Sequence, residues 1–252
     1  MGEEKRVLRC VVAYEGTAYQ GWQASHPSYS IRQILSSAFE RILQQPIALH
    51  GASRTDAGVH AEGQVAHCEV RGEVKSLDRL RLGFNACLPA DIRVMELQWA
   101  PLDFHATLSA VGKEYHYHLS RGQILSPFLR QTHWHVHRPL DCEKMHEACS
   151  AFLGERDFRA FCNARKGKGY EDFIRRIDRL ECVIEGERLR FEIEGNRFLY
   201  KMVRTVVGTL VYVGLGKLEI GAIGEILAGR RRCEAGMTAP AHGLILKRIN
   251  YP

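Results

Sequence analysis

The stretch Gly51-Ala52-Ser53-Arg54-Thr55-Asp56-Ala57-Gly58-Val59-His60, continuing to Gly63 and Gln64, sets one carboxylate among small residues with a guanidinium two positions before it. So polar and glycine-rich a run does not fit the interior of a strand or helix. Between the strand-like runs Ile47–His50 and Val65–Val70 it reads as a loop held up by a sheet, where functional side chains concentrate. Gly51, Gly58 and Gly63 let the backbone turn sharply and let a bulky ligand come close. Asp56 in such a loop has two uses. It caps a helix or pairs with Arg54 in an ordinary glycine turn, or it is a carboxylate that attacks an electrophile or stabilises a developing cation.

Four further stretches carry side chains capable of chemistry. In Lys113-Glu114-Tyr115-His116-Tyr117-His118-Leu119, strand alternation puts Lys113, Tyr115 and Tyr117 on one face. In Asn196–Gly208 an apolar stripe of Phe198, Leu199, Met202, Val203, Val206 and Val207 predicts a long helix capped by Asn196, with Arg197, Lys201 and Arg204 on another face. Ala239-Pro240-Ala241-His242-Gly243-Leu244 leads into an apolar strand. His133, His135 and His137 alternate, a geometry some metal sites use. No carboxylate or cysteine lies near them in a matching pattern, so solvent-facing strand histidines are expected.

Taken together, the first three of these stretches and the loop match four ordered motifs. R-T-D-A-G-V-H-A-E-G-Q-V resembles the active-site signature of the tRNA pseudouridine synthase A (TruA) family. K-x-Y-x-Y at Lys113, F-x-x-x-M-V-R-x-x-V-G at Phe198 and A-P-x-x-G-L-x-L at Ala239 resemble its other signatures. The resemblance runs from Tyr14-Glu15-Gly16 to Asn250-Tyr251-Pro252, and Ser53 departs from it where glycine is common. It implies an isomerase that turns uridine into pseudouridine at positions 38, 39 and 40 of the tRNA anticodon stem-loop. Asp56 is then the catalytic aspartate and Arg204 its ionic partner. Tyr115 lies against the target base, Arg54 fills the space left by the extruded base, and Leu244 packs on that base, although core packing accounts for Leu244 equally well. No cofactor and no metal are implied, since nothing is oxidised and no group is imported. A cytoplasmic homodimer that lays one tRNA across both subunits is also implied. The rival reading as an aspartate-dependent hydrolase needs a second carboxylate, for which the loop offers Glu62 alone.

The elements that must position these residues follow from periodicity. Val7–Tyr14 is a strand. Ser30 opens a helix with Ile31, Leu35, Ala38 and Phe39 on its apolar face, barred from continuing by Pro46. Val65–Val70 is a strand, Ser76 caps a second helix ended by Pro89, and Ile92–Trp99 returns as a strand. This is a split βαβ, ferredoxin-like order. Strands at Lys113–Leu119, Ile177–Ile184, Leu189–Glu194 and Leu244–Ile249, with helices from Asp141, from Asn196 and over Ile220–Leu227, make a looser second copy. The α+β class, with the resemblance, implies two ferredoxin-like (RRM-like) subdomains with mainly antiparallel sheets facing across a central active-site cleft. They are placed at residues 1–105 and 106–252, with Pro101–Gly112 joining them.

The chain has 252 residues, 45% of them apolar, enough for a large core. No apolar run spans a bilayer, so no membrane association is expected, and Met1–Arg6 lacks the apolar core of a signal peptide. Eight cysteines without a C-x-x-C pair suit reduced thiols rather than disulfides or zinc. The net charge is +6, with basic residues concentrated in Arg156–Arg179 and in Arg230-Arg231-Arg232, patches that suit a polyanion such as RNA.

Overall fold

The computed structural model describes residues 5–24, 29–163, 170 and 172–252. Residues 1–4 of the N-terminal stretch and residues 164–169 and 171 of the Arg156–Arg179 basic stretch lie outside this set. The chain is α+β and forms two compact units, residues 1–111 with 246–252 and residues 112–245.

The first unit runs β1 (Lys5–Tyr14), α1 (Ile31–Leu43), β2 (His50–Gly51), β3 (His60–Arg71), α2 (Leu77–Cys87) and β4 (Ile92–Ala100). Its strands lie in the order β4-β1-β3 with β2 beside β3, antiparallel throughout, which is the ferredoxin-like arrangement. Leu8, Cys10, Val12 and Tyr14 alternate into the core along β1, as a pleated strand requires. The Ser30 hydroxyl accepts the Gln33 N–H at 3.3 Å and starts α1, and the Ser76 hydroxyl does the same for Arg79 in α2. The two helices meet through Phe39 and Phe84, whose rings stack with centroids 3.8 Å apart. The run at Ile47 is a strand only at His50–Gly51, and β3 begins five residues before Val65, so the polar stretch narrows to the turn between Gly51 and His60.

Residues 101–111 belong to the first unit, which ends at Val111. They fold as turns, with Phe104 N–H donating to Pro101 O at 3.0 Å and Ser109 N–H to His105 O at 2.9 Å. The C-terminus returns to this unit as well, so the sequence division at residues 105 and 106 differs from that of the folded units. Val111 N–H donates to Asn250 O at 2.9 Å, Tyr251 Oη to Ala106 O at 2.7 Å, and Lys247 pairs with Glu62. Arg9 lies 5.1 Å from the centre of the Tyr251 ring, which helps to cover the sheet.

The second unit runs β5 (Gly112–Ser120), β6 (Trp134–His135), α3 (Cys142–Cys149), β7 (Gly154–Asp157), β8 (Ile174–Glu185), β9 (Arg188–Gly195), α4 (Met202–Gly214), α5 (Ala222–Gly229) and the first residues of β10 (Leu244–Asn250). Its strands follow the order β5-β9-β8-β7, antiparallel, with the short β6 parallel to β5. Tyr117, Phe152, Phe158, Phe161 and Phe191 are fully buried. Gly154, at φ 84°, closes the α3 region in the left-handed conformation.

Asn196 does not cap the long helix. Its Oδ1 accepts from Arg176 N–H at 3.0 Å and from Arg197 N–H at 2.6 Å, so it serves the sheet and the turn after β9. Lys201, at φ 60°, breaks the helical path, and α4 starts at Met202. Arg197 and Lys201 therefore share no helical face with Arg204.

His67 is buried on β3, with His105 and His50 at ring-centroid distances of 4.8 and 5.2 Å. Its Nδ1 accepts the Ala106 N–H at 3.2 Å. Burial first, then the neighbouring His105 and His50, lower its pKa to about 4 from an ordinary 6.5. The fold thus favours neutral imidazole. The associated stability is complete above pH 6.5 and is lost as the pH falls from about 6.5 towards 4. Chemical denaturation at stepped pH is expected to show this decline in the native protein and a flatter profile in His67→Gln. Identical slopes in the two proteins would assign the effect to other groups.

Candidate active site

The turn between β2 and β3 is fastened from below by side chains of its own unit. Gln64, fully buried on β3, accepts the Ser53 N–H at 3.1 Å and donates to Ser53 O at 2.7 Å, so one amide satisfies both backbone groups of a buried residue. It also lies 3.4 Å from the Tyr14 hydroxyl, which in turn shares a 2.7 Å hydrogen bond with Thr55 Oγ1. Thr55 O accepts the Trp22 N–H at 3.1 Å, and Val59 N–H closes back on Asp56 O at 3.2 Å. Gly51 lies flat against the Trp22 ring, which a Cβ would overlap. His60, buried, accepts the Gly16 N–H on Nδ1 at 3.0 Å.

These bonds turn Ser53 and Thr55 inward. Arg54 is left exposed and Asp56 half-buried at the tip. Asp56 caps no helix, and the strand that follows it starts at His60. Ser53, where the motif resemblance favours glycine, keeps its backbone in register with Gln64. Glu62 is exposed and paired with Lys247, which commits the carboxylate that a two-carboxylate hydrolase would use.

The second unit carries Tyr115, Arg204 and Leu244. Tyr115 faces Ile193 across the β5–β9 ladder, is buried, and meets Phe198 edge-on at 5.3 Å. Lys113, two residues earlier, is lowered to about 8 by burial and then by the charge of Arg197. Arg204 stands in the first turn of α4. Its Nε donates to Ala239 O at 2.7 Å, and Ala239 N–H donates back to Arg204 O at 3.0 Å. Leu244 opens β10 and is buried. Tyr117, which the sequence reading left without a role, joins these pieces. Its hydroxyl donates to Pro240 O at 2.8 Å, and burial pushes the phenol pKa up while the Arg204 charge opposes the shift. The signal for it in the sequence was the second tyrosine of K-x-Y-x-Y.

The basic run at Arg230 is partly paired, with Arg230 and Arg231 exposed. Arg230 pairs with Asp157 at 3.0 Å and Arg231 with Glu234. Arg232 spends its whole fork on Asn163 Oδ1 at 2.7 Å, Gly236 O at 3.0 Å and Thr238 Oγ1 at 2.9 Å, a fit that depends on its planar donor geometry.

His133 and His135 are half-buried rather than solvent-facing. His135 Nε2 is 2.7 Å from Gly122 O, His133 Nδ1 is 2.9 Å from Thr132 Oγ1, and His133 O is 3.1 Å from His242 Nε2. Only His137 of the three is exposed. Among the described residues, Glu114, His116 and Glu192 bring potential metal ligands within 4.8 Å of one another. Their carboxylates are already engaged: Arg179 reaches Glu114 and Glu192 at 2.8 Å each, and Arg190 reaches Glu192 at 2.7 Å.

Gln64→Leu removes the amide and leaves the buried Ser53 N–H and C=O without it. Unfolding free energy is expected to fall by about 1–3 kcal/mol in urea titration. A change below about 0.5 kcal/mol would mean that the turn does not depend on Gln64.

Known proteins resemble this chain along most of its length. The profile of a family described as tRNA pseudouridine synthase matches residues 10–108 and 148–252. The chain is 43% identical over 245 residues to tRNA pseudouridine synthase A 2 of Protochlamydia amoebophila, covering 97% of this chain and 94% of the relative. It is 39% identical to tRNA pseudouridine synthase A of Geobacter sp. strain M21, over 98% of this chain and 99% of the relative. The corresponding protein of Acetivibrio thermocellus is also 39% identical, over 98% of this chain and all of the relative, 100%.

Proposed function

The chain belongs to the tRNA pseudouridine synthase A family, an isomerase family acting on tRNA uridine, and from that premise we propose that it modifies uridines 38, 39 and 40 of the anticodon stem-loop. The observation that carries the reading is the fastened turn that holds Asp56 half-exposed and Arg54 exposed while every neighbouring inward residue is tied down. A rigid loop presenting one carboxylate suits a reaction whose charge develops at a single carbon.

In the reaction the bond between ribose C1' and N1 of uracil breaks, the base turns, and a bond from C1' to C5 forms. N1 gains a proton and C5 loses one, so the composition is unchanged and no cofactor enters the balance. Positive charge develops at C1', as in glycoside chemistry. Asp56 attacks that carbon or stabilises its charge. Arg204 supplies the positive charge that favours the ionised carboxylate. The Tyr115 ring lies against the base, which must leave the stack for C1' to be reached. Arg54 fills the gap left in the stem, and Leu244 gives the base an apolar wall. The working form is a cytoplasmic homodimer that engages one tRNA with both subunits.

Pseudouridine mapping on unmodified tRNA tests the reading. The native protein is expected to modify the anticodon arm, and Asp56→Ala to lower the rate by more than about 10³-fold while still binding tRNA. Modification by both proteins would remove Asp56 from the chemistry; modification outside positions 38–40 would reject the site assignment. Binding of tRNA is expected to weaken steeply between low and high salt, as phosphate contacts require.

A further inference from the structure

We propose that Tyr117 is a positioning residue that aims Arg204 through two successive backbone carbonyls. The inference rests on the role given to Arg204 above, and every contact it uses lies within the second unit.

Tyr117 is fully buried on β5, and the fold gives its hydroxyl one acceptor at 2.8 Å, Pro240 O. The preceding carbonyl, Ala239 O, accepts Arg204 Nε at 2.7 Å, and Ala239 N–H returns a bond to Arg204 O at 3.0 Å. Tyr117 and Arg204 thus hold adjacent carbonyl groups of one short segment. Between those carbonyls stands Pro240, at φ −53° and ψ 148°, whose ring forbids rotation about φ. With φ closed to rotation, a displacement of the Pro240 carbonyl beyond what its ψ absorbs moves Ala239, and with it the guanidinium. With Nε committed to Ala239, the direction of the planar fork follows from where Ala239 stands.

The rest of the segment is fixed so that this linkage has little slack. On one side, Arg232 grips Gly236 O and Thr238 Oγ1, and Gly236 N–H donates to Thr209 Oγ1 on α4 at 2.9 Å. On the other, Gly243 lies against the Tyr117 ring; a Cβ there would stand 2.6 Å from Cζ and 2.8 Å from the hydroxyl oxygen. Trp134 meets the ring edge-on at 6.3 Å and holds it from the β6 side. A buried tyrosine needed only for packing could be phenylalanine. The hydroxyl is explained by the carbonyl it holds.

The test is a double-mutant cycle on Tyr117→Phe and Arg204→Lys, read in single-turnover kinetics with tRNA. Tyr117→Phe keeps the ring and removes the hydroxyl. It is expected to lower kcat by about 10- to 100-fold, the size of effect that misplacing a catalytic group produces, with KM within about twofold. In Arg204→Lys, which lacks the Nε–Ala239 bond, the same substitution is expected to cost less than about twofold further. Gly243→Ala, which presses on the ring from the opposite side, is expected to lose kcat in the same selective way while keeping a cooperative melting transition. An unchanged kcat in Tyr117→Phe overturns the proposal, and so does an equal loss in both backgrounds, because the hydroxyl then acts independently of Arg204. Should Arg204→Lys alone match the native rate, the reading of Arg204 fails, and that result is separate from any effect of Tyr117.

Discussion

A buried side-chain amide carries the candidate site. Gln64 sits fully inside the first unit and spends both ends of its amide on Ser53. Backbone N–H and C=O groups cannot be buried unpaired without a cost comparable to a lost hydrogen bond. A polar turn can therefore lie against a core only if something supplies those partners. Once Gln64 does, Thr55 can be drawn in to Tyr14 and Trp22, and Arg54 and Asp56 must point the other way. The placement of the charged residues is thus a consequence of satisfying their uncharged neighbours.

The second unit solves the same problem with backbone carbonyls. Arg204 emerges from the first turn of a helix that is otherwise almost wholly buried, and its orientation is set by Ala239. The residues that flank Ala239 are held by a tyrosine, a glycine contact and the Arg232 fork. These contacts fix the segment whose carbonyl receives Arg204 Nε.

Several arginines of this chain are held in structural contacts. Arg232 is a three-bond strut, Arg179 and Arg190 knit Glu114 and Glu192 on the sheet, and Arg230 closes on Asp157.

By itself the sequence determined the order of most elements, the caps at Ser30 and Ser76, the loop that carries Asp56, and the strand that carries Tyr115 and Tyr117. These are local matters: side-chain periodicity, hydroxyl caps and glycine turns act within a few residues. Tertiary structure decided the rest. Asn196 looked like a cap but was captured by Arg176 on a neighbouring strand. Residues 101–111, read as a connector, also bond to the returning C-terminus. Tyr117 shared a strand face with Tyr115 and had no role of its own until Pro240, 123 residues away, was placed against its hydroxyl. Each outcome depends on which distant backbone group comes within about 3 Å of a side chain, and no pattern within a strand or helix encodes that distance.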